Sequence, residues 1–147
     1  MYESILFPTD GSEESLQALD HALDLAATYN ARLHALYVVN LQIPYAMDDN
    51  SVVSPEPILD LLHEKANKTI AEIEARADEA GVSVTGTVLE GAVIHREILE
   101  YCAEHRIDMI VMATHGRGGL NRLVLGSVTD RIVRTADVPV LVVRIHS

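Results

Sequence analysis

The chain of 147 residues holds a single cysteine, a single phenylalanine and no tryptophan. A lone thiol, Cys102, excludes an intrachain disulfide and points to a reducing compartment. Cys102 falls on a segment with helical patterning and reads as a packed thiol rather than a nucleophile. Positive charge is also scarce, with 11 Lys and Arg against 22 Asp and Glu and a formal net charge of −11. That balance argues against a generic nucleic-acid binder, which needs a basic footprint. No apolar run approaches the ~18 residues of a membrane span, and no basic-plus-apolar leader precedes the first strand. The expectation is a soluble cytoplasmic protein with neither a nucleic-acid nor a membrane partner. Disorder is a poor reading, because 48% of the residues are hydrophobic and 22% charged, as in ordinary globular proteins. The length suits one domain spanning residues 1–147, enough to bury roughly 68–70% of its extended surface.

Apolar runs and helical periodicities alternate along the chain. "SILFP" (Ser4–Pro8) has strand character, and "TDGSEES" supplies turn and helix-start residues. Ser12 is placed to cap a helix, with Glu13 and Glu14 at its positive end. Leu16, Leu19, Leu23 and Ala26 recur at three- and four-residue spacing, which predicts an amphipathic helix to about Tyr29. "RLHALYVV" (Arg32–Val39) is a second strand. Asn40–Pro57 breaks the rhythm with three prolines and Asp48–Asp49. Aperiodic stretches of this length are usually lids or mobile segments. Ile58–Ala80 predicts a helix along Leu62, Ala66, Ile70, Ile73 and Ala77, ended by Gly81 as a C-cap. "VSVTGTVLE" reads as a third strand, Gly91 as the opening of a helix through Ile94, Ile98 and Cys102, and "DMIVMA" as a fourth strand. "SVTDRIVRTA" then predicts a helix and "VPVLVVRI" a fifth strand.

Strands alternating with helices imply a parallel sheet covered on both faces. The expected fold class is a Rossmann-like, doubly wound α/β sheet of five strands in the order 3-2-1-4-5. Ligands in such folds bind beyond the carboxyl ends of the strands, where the winding reverses. Here the reversal lies between the first and fourth strands, from which "PTDGS" and "THGRGGLNRLVLGS" emerge. Gly116, Gly118 and Gly119 would let a backbone approach a phosphate closely. Gly126–Ser127 would turn into a helix whose free N–H groups favour anions, and Ser127 with Asp130 fits a capping pattern. Arg117, Arg122, Arg131 and Arg134 stand against Asp130 alone between Ala113 and Ala136. That local excess suits a small polyanion. A glycine loop whose arginines pair with acidic neighbours is the plainer alternative. A Walker loop fails for want of a suitably spaced lysine, and the dinucleotide fingerprint fails at Asn121 and follows the wrong strand. A phosphoacceptor receiver domain fails because Asp10 has no acidic neighbour and the fifth strand no lysine.

"ATHGRGGLNRLVLGSVTDRIVRTADVPVLVVR", with "ILFPTDGSEES" at the start, resembles the universal stress protein family from Ile5 to Arg144, least in Asn40–Pro57. Its ATP-binding branch carries Gly, two residues, Gly, nine residues, then Gly and Ser or Thr. Gly116 followed by Gly126–Ser127 matches that spacing, while Ala113 stands in place of the first glycine. Position by position, the resemblance implies that Pro8, Thr9 and Asp10 line the nucleoside side and that Val38 meets adenine. It implies Met112 and Ala113 beneath ribose and base, and His115, Gly116 and Arg117 near the phosphates. Gly126, Ser127 and Val128 would hold the phosphates from the helix start.

Each position also has a plainer reading. Asp10 either serves the ribose or a divalent ion, or is a turn residue. His115 either donates to phosphate or bonds to backbone, Ser127 also suits a cap, and Arg117 and Arg122 equally suit solvent. The other histidines lack compact metal-ligand spacing, so no zinc site is expected. No catalytic group stands out, for want of a convincing nucleophile–base pair. The leading expectation is therefore an ATP-binding regulatory or protective module of the stress response, with Mg2+ or Mn2+ as the accompanying ion. Two alternatives stay open: a slow ATPase or autophosphorylating enzyme with Ser127 or Thr129 as acceptor, and a dimeric adaptor with a vestigial nucleotide site. The last strand would be a long apolar sheet edge, which invites pairing. The resemblance likewise implies a homodimer through that strand.

Overall fold

The computed structural model describes residues 1–42, 56–115 and 124–145. Five strands, β1 (Ser4–Thr9), β2 (Arg32–Asn40), β3 (Val84–Gly91), β4 (Met109–His115) and β5 (Val140–Ile145), form one sheet in the order β3-β2-β1-β4-β5. All four pairings are parallel, so the expected doubly wound architecture is the one observed. The central strands are near-continuous apolar runs because both faces of the sheet are covered. Leu33 through Val39 are buried without interruption.

Among the described residues five helices cover the sheet: α1 (Glu13–Gln17), α2 (Leu19–Tyr29), α3 (Glu56–Glu79), α4 (Ile94–Glu104) and α5 (Val124–Thr135). Right-handed crossovers set their sides, since the first two connections move one way across the sheet and the last two the other. α2 and α3 therefore share a face, where Arg76 pairs with Asp20 between them. α4 packs on β2 and β3, α5 on β4 and β5, and the two helices touch.

Local chemistry explains several boundaries. Ser12 Oγ accepts from the Ser15 N–H (3.1 Å), capping α1 as expected. Gly81 takes φ +72° just after α3, the left-handed conformation in which glycine ends helices at little cost. Three expectations need correction. The first helix is not continuous but breaks at Ala18 into α1 and α2. Gly91 does not open a helix; it closes β3 opposite Asn40, and α4 starts at Ile94. α3 already begins at Glu56, so Pro57 is helical, where the missing N–H of a proline in a first turn costs nothing. Asn40 belongs to β2, and residues 43–55 of the loop expectation lie outside the described residues.

Candidate functional site

A seam opens between β1 and β4. Their registered pairs are Ile5↔Met109 and Leu6↔Ile110, whereas β4 stays paired with β5 as far as His115↔Ile145. Backbone direction supplies a reason. The Ser4 carbonyl accepts from the Asp108 N–H (3.0 Å) and the Glu3 carbonyl from the Arg32 N–H (2.9 Å). Backbone groups alternate sides along a strand, so Ser4, Leu6 and Pro8 face β4. Proline has no N–H to continue that ladder. The pairing therefore lapses where the winding reverses, the place at which ligands of doubly wound sheets bind.

The β1–α1 turn beside this seam is held by its own side chains. Thr9 Oγ1 accepts from the Gly11 N–H (3.0 Å) and is bonded to Ser15 Oγ. Asp10 Oδ1 accepts from the Ser12 N–H (2.9 Å). Asp10 thus plays the turn role weighed above, with one carboxylate oxygen. Its negative charge reaches a neighbour too: burial, and then the Asp10 carboxylate, push the Tyr37 phenol up to about 12.

Pro8, Thr9, Asp10, Val38 and Val128 line one cleft, whose remaining apolar wall is Leu36, Ile94 and Ile98. Five of the expected site residues, drawn from β1, its turn, β2 and α5, therefore converge. Met112 and Ala113 are buried in β4, at 0% and 3% exposure, and neither lines this cleft. Gly126 is half-buried and Ser127 exposed, both in the first turns of α5. Because α5 begins at Val124, Ser127 is its fourth residue and not its N-cap, which corrects the capping expectation. His115 ends β4 opposite Ile145. Gly116, Gly118, Gly119, Arg117 and Arg122 lie outside the described residues, as does the side chain of His115. The local positive excess is smaller at the cleft than the count suggested, since Arg134 pairs with Asp130 (3.3 Å) on the exposed side of α5.

Thr129, weighed above as a phosphate acceptor, is 3% exposed. Its hydroxyl donates to the Ala113 carbonyl (2.9 Å). Sequence reasoning also missed Leu36, Ile94 and Ile98 as cleft residues. The alternation of β2 was the available signal, since Leu36 and Val38 share a face. Among the described residues no group of three or more His, Cys, Asp or Glu could hold a metal ion, and no helix is long and apolar enough to cross a membrane.

An α/β domain with a cleft beside its winding reversal, walled by β2, α4 and the turn after β1, is of the class that takes small ligands beyond its strand ends. This chain belongs to the universal stress protein family, whose model matches residues 1–144. It is 38% identical over 144 residues to universal stress protein MJ0531 of Methanocaldococcus jannaschii, covering 98% of this chain and 83% of the relative. The solved structure of the hypothetical protein MJ0577, from the same organism, superposes with a TM-score of 0.81 at 27% identity, covering 100% of this chain and 99% of the other. A universal stress protein solved in complex with cAMP superposes with a TM-score of 0.71 at 25% identity, covering 99% of this chain and 98% of the other.

Proposed function

We propose that the protein binds ATP in this cleft and acts as a nucleotide-dependent regulatory or protective module of the stress response. The observation that carries the reading is the convergence of Pro8, Thr9, Asp10, Val38 and Val128 on one cleft beside the unpaired ends of β1 and β4. The apolar wall of Val38, Leu36, Ile94 and Ile98 suits a flat purine base. The buried pair Met112 and Ala113 would lie beneath the nucleoside. Gly116, Arg117 and His115 would reach the phosphates from the β4 side, and Gly126, Ser127 and Val128 from the first turns of α5, where the positive end of the helix dipole favours anions. The spacing of Gly116, Gly126 and Ser127 supports a triphosphate, and the cAMP held by a structural relative supports an adenine nucleotide. Mg2+ or Mn2+ would be held mainly by the phosphates, with Asp10 the nearest carboxylate in the cleft. The edge strand β5 supports a homodimer, and the lone half-buried thiol supports a cytoplasmic setting.

The test is calorimetry and thermal melting of nucleotide-stripped protein with ATP and Mg2+. Ligand at a hundred times its Kd should stabilise the fold by about 2.7 kcal/mol. Unchanged melting and no heat at millimolar ATP would remove the reading.

A further inference from the structure

Two threonines of α5 use their hydroxyls differently. Thr135 donates to the Arg131 carbonyl one turn back (2.6 Å), the local bond that helical threonines commonly make. Thr129 instead reaches out of its helix to the carbonyl of Ala113 in β4 (2.9 Å), in a buried bond between residues 16 apart. The strand explains why that carbonyl needs a partner. The Ile110 N–H donates to the Pro139 carbonyl (3.0 Å), so Ile110 faces β5, and by alternation Val111 and Ala113 face β1. Yet β1 ends at Thr9, and its registered pairing with β4 ends at Leu6↔Ile110. The Ala113 carbonyl sits above the last rung, buried and beyond the sheet ladder. A buried carbonyl in that position is costly unless something donates to it.

We propose that Thr129 is a positioning residue, whose bond to Ala113 fixes the first turns of α5 against the end of β4 and so sets the site that receives the phosphates. The inference rests on the nucleotide reading above. Ala113 would lie under the ribose, and Gly126, Ser127 and Val128 immediately precede Thr129 in the helix. One hydroxyl therefore ties the end of β4 to the first turns of α5, which the chain itself connects only through residues 116–123. First turns held this way keep their place before the ligand arrives, so binding spends less on ordering them. A nucleoside without phosphates makes no demand on those turns.

The test compares Thr129→Val, which keeps shape and loses the donor, with Thr129→Ser, which keeps the donor. Nucleotide-stripped wild type and variants are titrated calorimetrically with Mg-ATP and, separately, with adenosine. The expected result is ~10-fold weaker ATP binding in Thr129→Val, about the worth of one hydrogen bond, with adenosine unchanged and Thr129→Ser like wild type. Equal ATP affinity in Thr129→Val and wild type overturns the proposal. So does a matching loss of adenosine affinity, which would make the bond a general stabiliser. Should wild type itself bind no ATP, the nucleotide reading fails, and hydrogen exchange decides the positioning role alone. Faster exchange at the Gly126–Val128 amides in Thr129→Val, restored in Thr129→Ser, upholds it; unchanged exchange sinks it. If Thr129→Val does not fold, Thr129→Cys, a weak donor of similar size, takes its place in both assays.

Discussion

Gly11 stands at φ +79° in the turn between β1 and α1, and a Cβ there would lie 2.9 Å from Thr69 Oγ1 and 3.1 Å from the Tyr37 ring. Both the backbone conformation and the space favour glycine. Gly11→Ala should lower the melting temperature by roughly 3–8 °C, the effect of strain of about 1–2 kcal/mol on a chain of this size. A calorimetric scan with no shift would show that the turn relaxes at no cost. Cys102 makes a second case at this scale. It is half-buried on α4, and burial pushes its thiol up to about 11, so little thiolate exists at neutral pH. Thiol reagents should modify the folded protein far more slowly than the unfolded chain at pH 7. Equal rates by mass spectrometry would contradict the packed-thiol reading.

Between elements, β2 and α4 meet through a polar cluster centred on the buried His34 and Tyr101. His34 Nδ1 lies 2.9 Å from the Tyr101 hydroxyl, which is 3.4 Å from Thr87 Oγ1 on β3, and His105 stacks on the Tyr101 ring with centroids 3.8 Å apart. Burial first, then His105 and Arg32, lower the pKa of His34 below its ordinary 6.5. The unfolded chain therefore takes up a proton near pH 6.5 that the folded protein resists. Stability from neutral His34 is fully present above pH 6.5 and is lost as pH falls through the folded value. His34→Gln, which cannot titrate, should show a flatter fall in melting temperature between about pH 7 and pH 5 than wild type. Parallel curves would exclude His34 as the source of the slope. The same cluster shows what could be read beforehand. His34 sits within the apolar run of β2, and the run, its burial and the sheet order were legible because strands covered on both faces leave a continuous signature. The break at Ala18, the start of α5 and the wall made by Ile94 and Ile98 were not. Ser127 carries a cap signature, but Thr129 ties the helix to Ala113, and α5 begins at Val124. Contacts between distant residues leave no periodic trace in either partner.

For the whole molecule, the sheet has two edges, β3 and β5, and β5 has β4 on one side only. Pro139 faces β4, as its bond from Ile110 shows, so Val140, Val142 and Arg144 direct their backbone groups outward. If two copies join along this edge, Val142→Pro should remove an outward donor while leaving the β4 ladder intact. Light scattering should then give twice the chain mass for wild type and the single chain mass for Val142→Pro, with matching circular dichroism. A wild-type mass that stays monomeric at all concentrations would dismiss the dimer. Pro8 has the opposite effect on the inner seam. A strand buried at the middle of a sheet rarely tolerates a residue that cannot donate, because each missing rung weakens the fabric. Here the missing rung acts as the stop on a zip fastener, halting closure where the sheet must stay parted. Any residue with an N–H at this position could let the teeth engage further, making a firmer protein with a narrower mouth. Sequence variation at this one position should therefore trade robustness against access.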